Sequence, residues 1–333
     1  MRLLVLGGTQ HVGRAVVETA LARGDEVTTV NRGSTPAPPG VDARTADRRT
    51  PGALLAALGT DAWDAVLDTW SHEPAAVADA ARLLDGRAGH YTYISSRSVH
   101  RWPIPGGADE SAPVVDADPA STIAEDYAEA KRGGELAVEA GFSGGVLLAR
   151  AGLILGPYEV VGRLPWWLNR IAAGGRVVAP GPSDRPLQYV DARDLAAWVL
   201  HCADDAITGA FNAVSPPGHT TIGELLEQCV VATGSDADLV SVSAEVIEAA
   251  GVSGWTDLPI WAPPTGEIAA LHDGDTTAAV VAGLRCRPVA ETVADTWAWL
   301  QAEGTPEPPS GRAGTLGISA ATEAALLEAA TGS

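Results

Sequence analysis

Leu3-Leu4-Val5-Leu6-Gly7-Gly8-Thr9-Gln10-His11-Val12-Gly13 stands at the start of the chain and decides its fold class. The four apolar residues read as a buried strand. From Arg14 to Arg23 Ala, Val and Leu recur with helical spacing, so the stretch reads as strand, glycine turn, helix. Gly7 and Gly13 take the outer positions of a GxxGxxG pattern, and Gln10 takes the middle one. A glycine turn at that place lets a pyrophosphate approach main-chain amides at a helix N-terminus. Gly7, Thr9, Gln10, His11, Val12 and Gly13 are therefore candidate dinucleotide-binding residues.

Working outward, Glu26 to Val30, Asp64 to Asp68 and His90 to Ile94 read as further strands, separated by Ala-rich helical stretches such as Pro74 to Leu84. Strands alternating with helices imply an α/β fold with a doubly wound parallel sheet, the Rossmann arrangement. Gly145 to Arg150 adds another strand before Gly156-Pro157 breaks the rhythm. Residues 1–156 are read as the dinucleotide-binding core, with 188–213 returning to its sheet. Residues 157–187 and 214–302 are expected to form a smaller substrate-binding region containing the helices Leu164 to Ala173, Ile222 to Thr233 and Val289 to Leu300. Residues 303–333 read as a Pro, Gly and Ser-rich linker over 304–314 followed by a short helix from Ile318 to Ala330. No internal repeat is visible.

An NAD site usually has an acidic residue at the end of the second strand to hold the adenosine ribose. Here Asn31-Arg32 stands there, and arginine suits a 2'-phosphate, which favours NADP(H) and leaves NAD second. Arg32 can also be read as an ordinary solvated residue. Asp47, just after the third strand pattern, is a weaker candidate for the adenine amino group, and Asp68 at the end of a later strand joins the cofactor set.

The 333 residues are 46% hydrophobic and carry a formal net charge of -20. That charge argues against nucleic acid as a partner, because phosphate contacts need clustered cations. It would help attract a cationic small molecule such as an amine or aminosugar, although solubility is the commoner reason for such a surface. No apolar run reaches the roughly 18 residues of a membrane span, and the N-terminus has no signal-peptide pattern, so a cytoplasmic protein is expected. Cys202, Cys229 and Cys286 lack metal-ligand spacing and read as free thiols.

Lysine occurs once, at Lys131, four residues after Tyr127. On a helix the two share a face, and a fixed cation favours the phenolate of a neighbouring tyrosine. Arginine could not substitute, being larger, planar and permanently charged.

With the glycine turn, Tyr93-Ile94-Ser95-Ser96, Tyr127 to Lys131, Arg150 to Gly156-Pro157 and Tyr189-Val190-Asp191, the chain resembles the short-chain dehydrogenase/reductase superfamily. Within it the chain looks like the extended or atypical branch of NAD-dependent epimerase/dehydratase-like proteins. The resemblance covers roughly residues 1–300. It implies a catalytic triad in which Ser96 bonds the substrate oxygen, Tyr127 moves its proton, and Lys131 binds the nicotinamide ribose while lowering the phenol pKa. Ser95 competes with Ser96 for the first role. Hydride must come from a nicotinamide, since no side chain transfers it. Arg97 stands where dehydratases of the superfamily carry an acid, which disfavours dehydration, and His100-Arg101 replaces the Tyr-Gly of many sugar-nucleotide epimerases. Arg97, His100, Trp166, Trp167 and Gln188 are the candidate substrate contacts, although a Trp-Trp pair on a helix is more often core or domain packing, and Arg97 and His100 can equally be read as loop contacts. The leading expectation is an NADP(H)-dependent reductase of a small sugar-like or natural-product ketone. An epimerase that retains its nicotinamide is the alternative, and a non-catalytic dinucleotide-sensing or RNA-binding relative ranks third. The resemblance also implies a homodimer through the Pro74 to Leu84 and Ile123 to Ala140 helices.

Overall fold

The chain lays down β1 (Arg2–Leu6), α1 (His11–Ala22), β2 (Glu26–Asn31), β3 (Asp42–Thr45), α2 (Ala53–Leu58), β4 (Ala65–Asp68), α3 (Pro74–Leu84) and β5 (His90–Ser96). A 3-10 turn, Arg97–Val99, follows β5, and then come α4 (Tyr127–Gly141), β6 (Gly145–Ala151), β7 (Leu153–Leu155) and α5 (Arg163–Ala172). The remainder comprises β8 (Arg176–Pro180), β9 (Pro186–Leu187), β10 (Tyr189–Asp191), α6 (Ala192–Asp204), β11 (Gly209–Ala213), β12 (Thr220–Thr221), α7 (Ile222–Thr233), β13 (Asp238–Val242), α8 (Ala244–Ala249), α9 (Thr277–Val281), α10 (Val289–Glu303) and α11 (Ala320–Thr331). This computed structural model describes residues 1–305 and 316–331. The expected linker over 304–314 lies, from residue 306 onward, outside the described residues.

Seven strands form one parallel sheet in the order β11-β6-β5-β4-β1-β2-β3. The strand order reverses between β1 and β4, and in such sheets ligands bind in the crevice outside the strand C-termini at that reversal. Strands β1, β4 and β5 are buried on both faces almost throughout because helices cover both. On one face α1 packs against α6, enclosing Val5, Val16, Leu67, Ala149, Leu195 and Val199. On the other, α3 packs against α4 over Leu4, Val66, Val77, Tyr91 and Val138.

A third apolar cluster belongs to the later elements. It gathers Leu164, Trp167 and Leu168 of α5, Leu225 and Leu226 of α7, Val293 and Leu300 of α10, and Leu326 of α11. The pairs β8 with β13 and β9 with β12 run over this region, the first parallel and the second antiparallel. Cys202 and Cys229 are buried free thiols and Cys286 is half-buried. Among the described residues no helix is long and apolar enough to cross a membrane.

One boundary differs from the sequence reading. The helix expected from Ile123 starts at Tyr127, because the Asp126 carboxylate accepts from the Glu129 N–H at 2.9 Å and caps the first turn there. The cap makes Tyr127 the first helical residue and leaves it at the mouth of the sheet.

Candidate functional site

The glycine turn is held by contact. Gly7 and Gly8 adopt φ of +121° and +104°, and the Gly7 N–H donates to the Val30 carbonyl of β2 at 3.1 Å. A Cβ on Gly13 would meet the Gly8 nitrogen at 2.5 Å, so only glycine lets α1 start this close to the turn. Gln10 is exposed at the N-cap of α1 and makes no side-chain capping bond. Thr9 is half-buried, while the Val12 side chain belongs to the core, which leaves its main chain as what it can offer a ligand. His11 has a φ of +39°, and its Nε2 is buried without a hydrogen-bond partner among the described residues. Burial pushes its pKa down to about 4 against the opposing pull of Asp191, so the ring is neutral at pH 7. A positive-φ turn pressed against a helix start, with an unpartnered ring nitrogen beside it, fits a dinucleotide pyrophosphate.

At the adenosine side Asn31 ends β2 and its carbonyl accepts from the Ala46 N–H at 2.9 Å. Arg32 follows, exposed, with no hydrogen bond or ion pair among the described residues. Asp47 is exposed, but its Oδ1 accepts from the Arg49 N–H at 3.0 Å. Asp68 is a correction to the sequence reading. Its fully buried carboxylate accepts from Arg48 Nη1 and Nη2 at 2.6 and 2.9 Å, from the Tyr91 hydroxyl at 2.7 Å and from the Trp70 N–H at 2.9 Å. With both oxygens engaged, Asp68 orders the wall and has nothing left for a cofactor. Arg48 and Arg49 flank the Trp70 ring at 4.8 and 5.7 Å, and His72 meets it edge-on at 5.3 Å. Burial lowers the His72 pKa, and the charges of Arg49, Arg32 and Lys131 lower it further.

The serine, tyrosine and lysine sit on two elements that pack together, the end of β5 with its 3-10 turn and α4. Lys131 is 3% exposed, and its Nζ donates to the carbonyls of Ile94 and Trp70, both at 2.7 Å. Tyr127, one turn earlier on the same face, is 47% exposed. Burial pushes the Lys131 pKa down to about 7, with Asp68 and Glu135 opposing and Arg48 assisting. The two serines are in different circumstances. Ser95 is buried and donates its hydroxyl to Glu135 at 2.7 Å, whereas the Ser96 hydroxyl accepts from the Ser98 N–H at 3.1 Å and keeps its own proton to donate.

The five candidate substrate contacts are mostly enclosed, and for the Trp pair the packing reading is the one the structure matches. Trp167 has no exposed surface and donates its indole N–H to the Pro259 carbonyl at 2.7 Å; it is core. Trp166 stacks on it edge-on at 4.7 Å beneath Gly317. The Gln188 side chain, 1% exposed, donates to the carbonyls of Ser215 and Gly274 at 2.8 and 2.9 Å and accepts from the Gly274 N–H at 2.7 Å. His100 is buried between Asn212 Oδ1 and the Ala112 carbonyl, both at 3.3 Å. Arg97 is 4% exposed and donates to the Leu271 carbonyl at 2.9 Å. Trp167, Gln188 and His100 have their polar side-chain atoms bonded within the protein, and Arg97 is enclosed with its Nε unpartnered among the described residues. For Arg97 and Gln188 a partner is the stretch 262–274, which also takes Arg185 through the carbonyls of Ala262, Pro263 and Ala269 at 2.6, 2.9 and 2.5 Å. Sequence reasoning missed Arg48, Trp70, Glu135 and that stretch. Only Glu135 carried a signal, its four-residue spacing from Lys131.

Residues 3–213 match the NAD dependent epimerase/dehydratase family. A 2'-dehydrokanamycin reductase of Streptomyces kanamyceticus is 30% identical over 256 residues, 74% of this chain and 70% of that protein. Among solved structures, the Bordetella bronchiseptica enzyme WbmH in complex with NAD+ superimposes with a TM-score of 0.68 at 18% identity, covering 91% of this chain and 99% of that one. A human epimerase family protein with NADPH gives 0.60 at 19% identity, covering 90% and 99%. At such identities these two structures speak for the fold.

Proposed function

The chain belongs to the NAD-dependent epimerase/dehydratase family and is an NAD(P)-dependent enzyme of the short-chain dehydrogenase/reductase type, and from that premise we propose that it is an NADPH-dependent ketoreductase acting on an aminosugar-like ketone. The observation that carries the reaction type is the junction of α4 with β5. Lys131 is anchored to the Ile94 carbonyl two residues before Ser96, and Tyr127 stays open to solvent above it. Ser96 holds the substrate carbonyl oxygen and Tyr127 gives that oxygen its proton. Lys131, when charged, makes the phenol the stronger acid. The bound nicotinamide supplies the hydride. The glycine turn would hold its pyrophosphate, and Arg32 the 2'-phosphate.

Two observations support the substrate class besides the reductase relative. The net charge of -20 favours a cationic ligand. Arg97 and Arg185 donate to main-chain carbonyls, so neither guanidinium is wholly open to a phosphate-bearing sugar. The test is NADPH consumption with a 2'-keto aminoglycoside and with a neutral keto sugar. Faster turnover of the aminated ketone is expected, and turnover of neither would discard the reading. Release of NADP+ at every turnover separates this reading from an epimerase that keeps its nicotinamide. Tyr127→Phe should lower kcat by about 100-fold or more while leaving the Kd for NADPH within about twofold. Wild-type turnover in that variant would remove Tyr127 from the mechanism.

A further inference from the structure

Three consecutive residues at the end of β5 have three different commitments. The Ile94 carbonyl accepts from Lys131, the Ser95 hydroxyl donates to Glu135, and the Ser96 hydroxyl accepts from the Ser98 N–H with its own proton uncommitted. Glu135 follows Lys131 by four residues as Lys131 follows Tyr127, so the three form one stripe along α4. Glu135 has no exposed surface, and four donors fill its carboxylate. Oε1 accepts from Ser95 Oγ at 2.7 Å and Arg150 Nε at 2.9 Å; Oε2 accepts from Arg132 Nη1 at 2.8 Å and Arg150 Nη2 at 3.0 Å.

Arg150 lies on β6 directly opposite Ser95 in the strand register. It also donates to the Glu110 carbonyl at 3.1 Å, and the Glu110 side chain accepts from the Asn212 N–H at 2.6 Å. Asn212 Oδ1 in turn meets His100. The network therefore reaches from the middle of α4, through the end of β5, into the segment that follows Ser96. A buried ion pair of this kind contributes little net stability over a well-packed apolar replacement, but it is strongly directional.

We propose that Glu135 is a positioning residue of the reaction site, fixing through Ser95 and Arg150 the strand end that carries Ser96 against the helix face that carries Lys131 and Tyr127. It rests on the Ser96, Tyr127 and Lys131 reading above. Its second consequence is electrostatic. Lys131 is faced by Asp68 from β4, Glu135 and Tyr127 from its own helix, Arg48 from the loop after β3, His72 from the loop after β4, and the Tyr93 ring of β5 at 4.9 Å. The Asp68 and Glu135 carboxylates favour its charged form, while burial and Arg48 oppose it. Removing the Glu135 charge moves the Lys131 titration to lower pH, so the ammonium is lost sooner as pH rises.

Because Lys131 is the sole lysine, 13C-lysine labelling of the full chain gives one side-chain signal whose titration reports this group alone. The variants are Ser95→Ala, Glu135→Gln and the double variant Glu135→Gln/Arg150→Gln. The double variant leaves no buried guanidinium without its carboxylate if the single one fails to fold. Expected are a kcat about tenfold lower in Ser95→Ala with KM for NADPH unchanged, and a Lys131 midpoint below the wild-type value in whichever charge variant folds. A Ser95→Ala kcat within about twofold of wild type, or a Lys131 midpoint that does not move, overturns the proposal. Full turnover in Tyr127→Phe would instead overturn the triad reading on which it rests, and the lysine titration, made without substrate, tells the two failures apart.

Discussion

Arg32 and Arg97 carry the same charge just after the C-terminal ends of two strands of one sheet, in opposite circumstances. Arg32 follows β2 with its guanidinium in solvent and, among the described residues, unbonded. Arg97 follows β5 almost wholly enclosed, donating to the Leu271 carbonyl, with its Nε buried and unpartnered. Burial pushes the Arg97 pKa down to about 10, and Asp273 and Glu110 only partly compensate. A cation that its own chain leaves unbonded is available to an anion at small cost. One already enclosed and bonded to a main-chain carbonyl must first be released, so the two arginines should differ sharply in their affinity for phosphate. Arg48 is a third case, buried like Arg97 but matched to the Asp68 carboxylate.

The largest effect should come from breaking that matched pair. Arg48→Ala leaves the Asp68 carboxylate buried without its counterion and should cost about 3–5 kcal/mol in denaturant unfolding. Arg32→Ala, touching nothing, should change stability by less than about 0.5 kcal/mol. A loss under about 1 kcal/mol in Arg48→Ala would mean that the Arg48–Asp68 pair is not a buried ion pair in the fold.

Arg32→Ala should matter for ligand instead. Losing a charge-assisted contact of about 1.5–3 kcal/mol weakens NADPH by roughly ten- to hundredfold. NADH, with no 2'-phosphate, should bind the variant as it binds wild type. Calorimetric titration of both nucleotides into both proteins decides this; equal weakening, or a wild-type preference for NADH, removes Arg32 from the phosphate site.

The smallest expected signal is at the other arginine. UDP titrated into the NADP+-loaded protein should bind with a Kd no tighter than about 1 mM, since Arg97 and Arg185 are already bonded. Binding tighter than about 100 μM would show that the 262–274 stretch yields to a diphosphate, and the contrast between the two arginines would collapse.

The stripe of Tyr127, Lys131 and Glu135 and the glycine turn were open to sequence reasoning because their information is local. A four-residue spacing places side chains on one helix face wherever the helix lies, and a strand, a glycine turn and a helix in succession form their own binding geometry. The seven-stranded parallel sheet follows from the same alternation, and the match to the NAD-dependent epimerase/dehydratase family agrees with it. Trp166, Trp167, Gln188, Arg97 and His100 were legible only as polar or aromatic residues at suggestive positions. Whether each faces a ligand or the protein depends on chain that arrives much later. Leu271 and Gly274 are more than eighty residues beyond Gln188, and Pro259 is 92 beyond Trp167. Asp68 was hidden for a different reason: its partner Arg48 comes from an earlier loop with no periodicity to announce it. Sequence by itself determined which residues share a strand, a turn or a helix face, because those relations are set by backbone geometry over a few residues. Tertiary structure alone decided which polar groups stay unspent, because a buried donor or acceptor must find a partner and takes the nearest one the fold delivers.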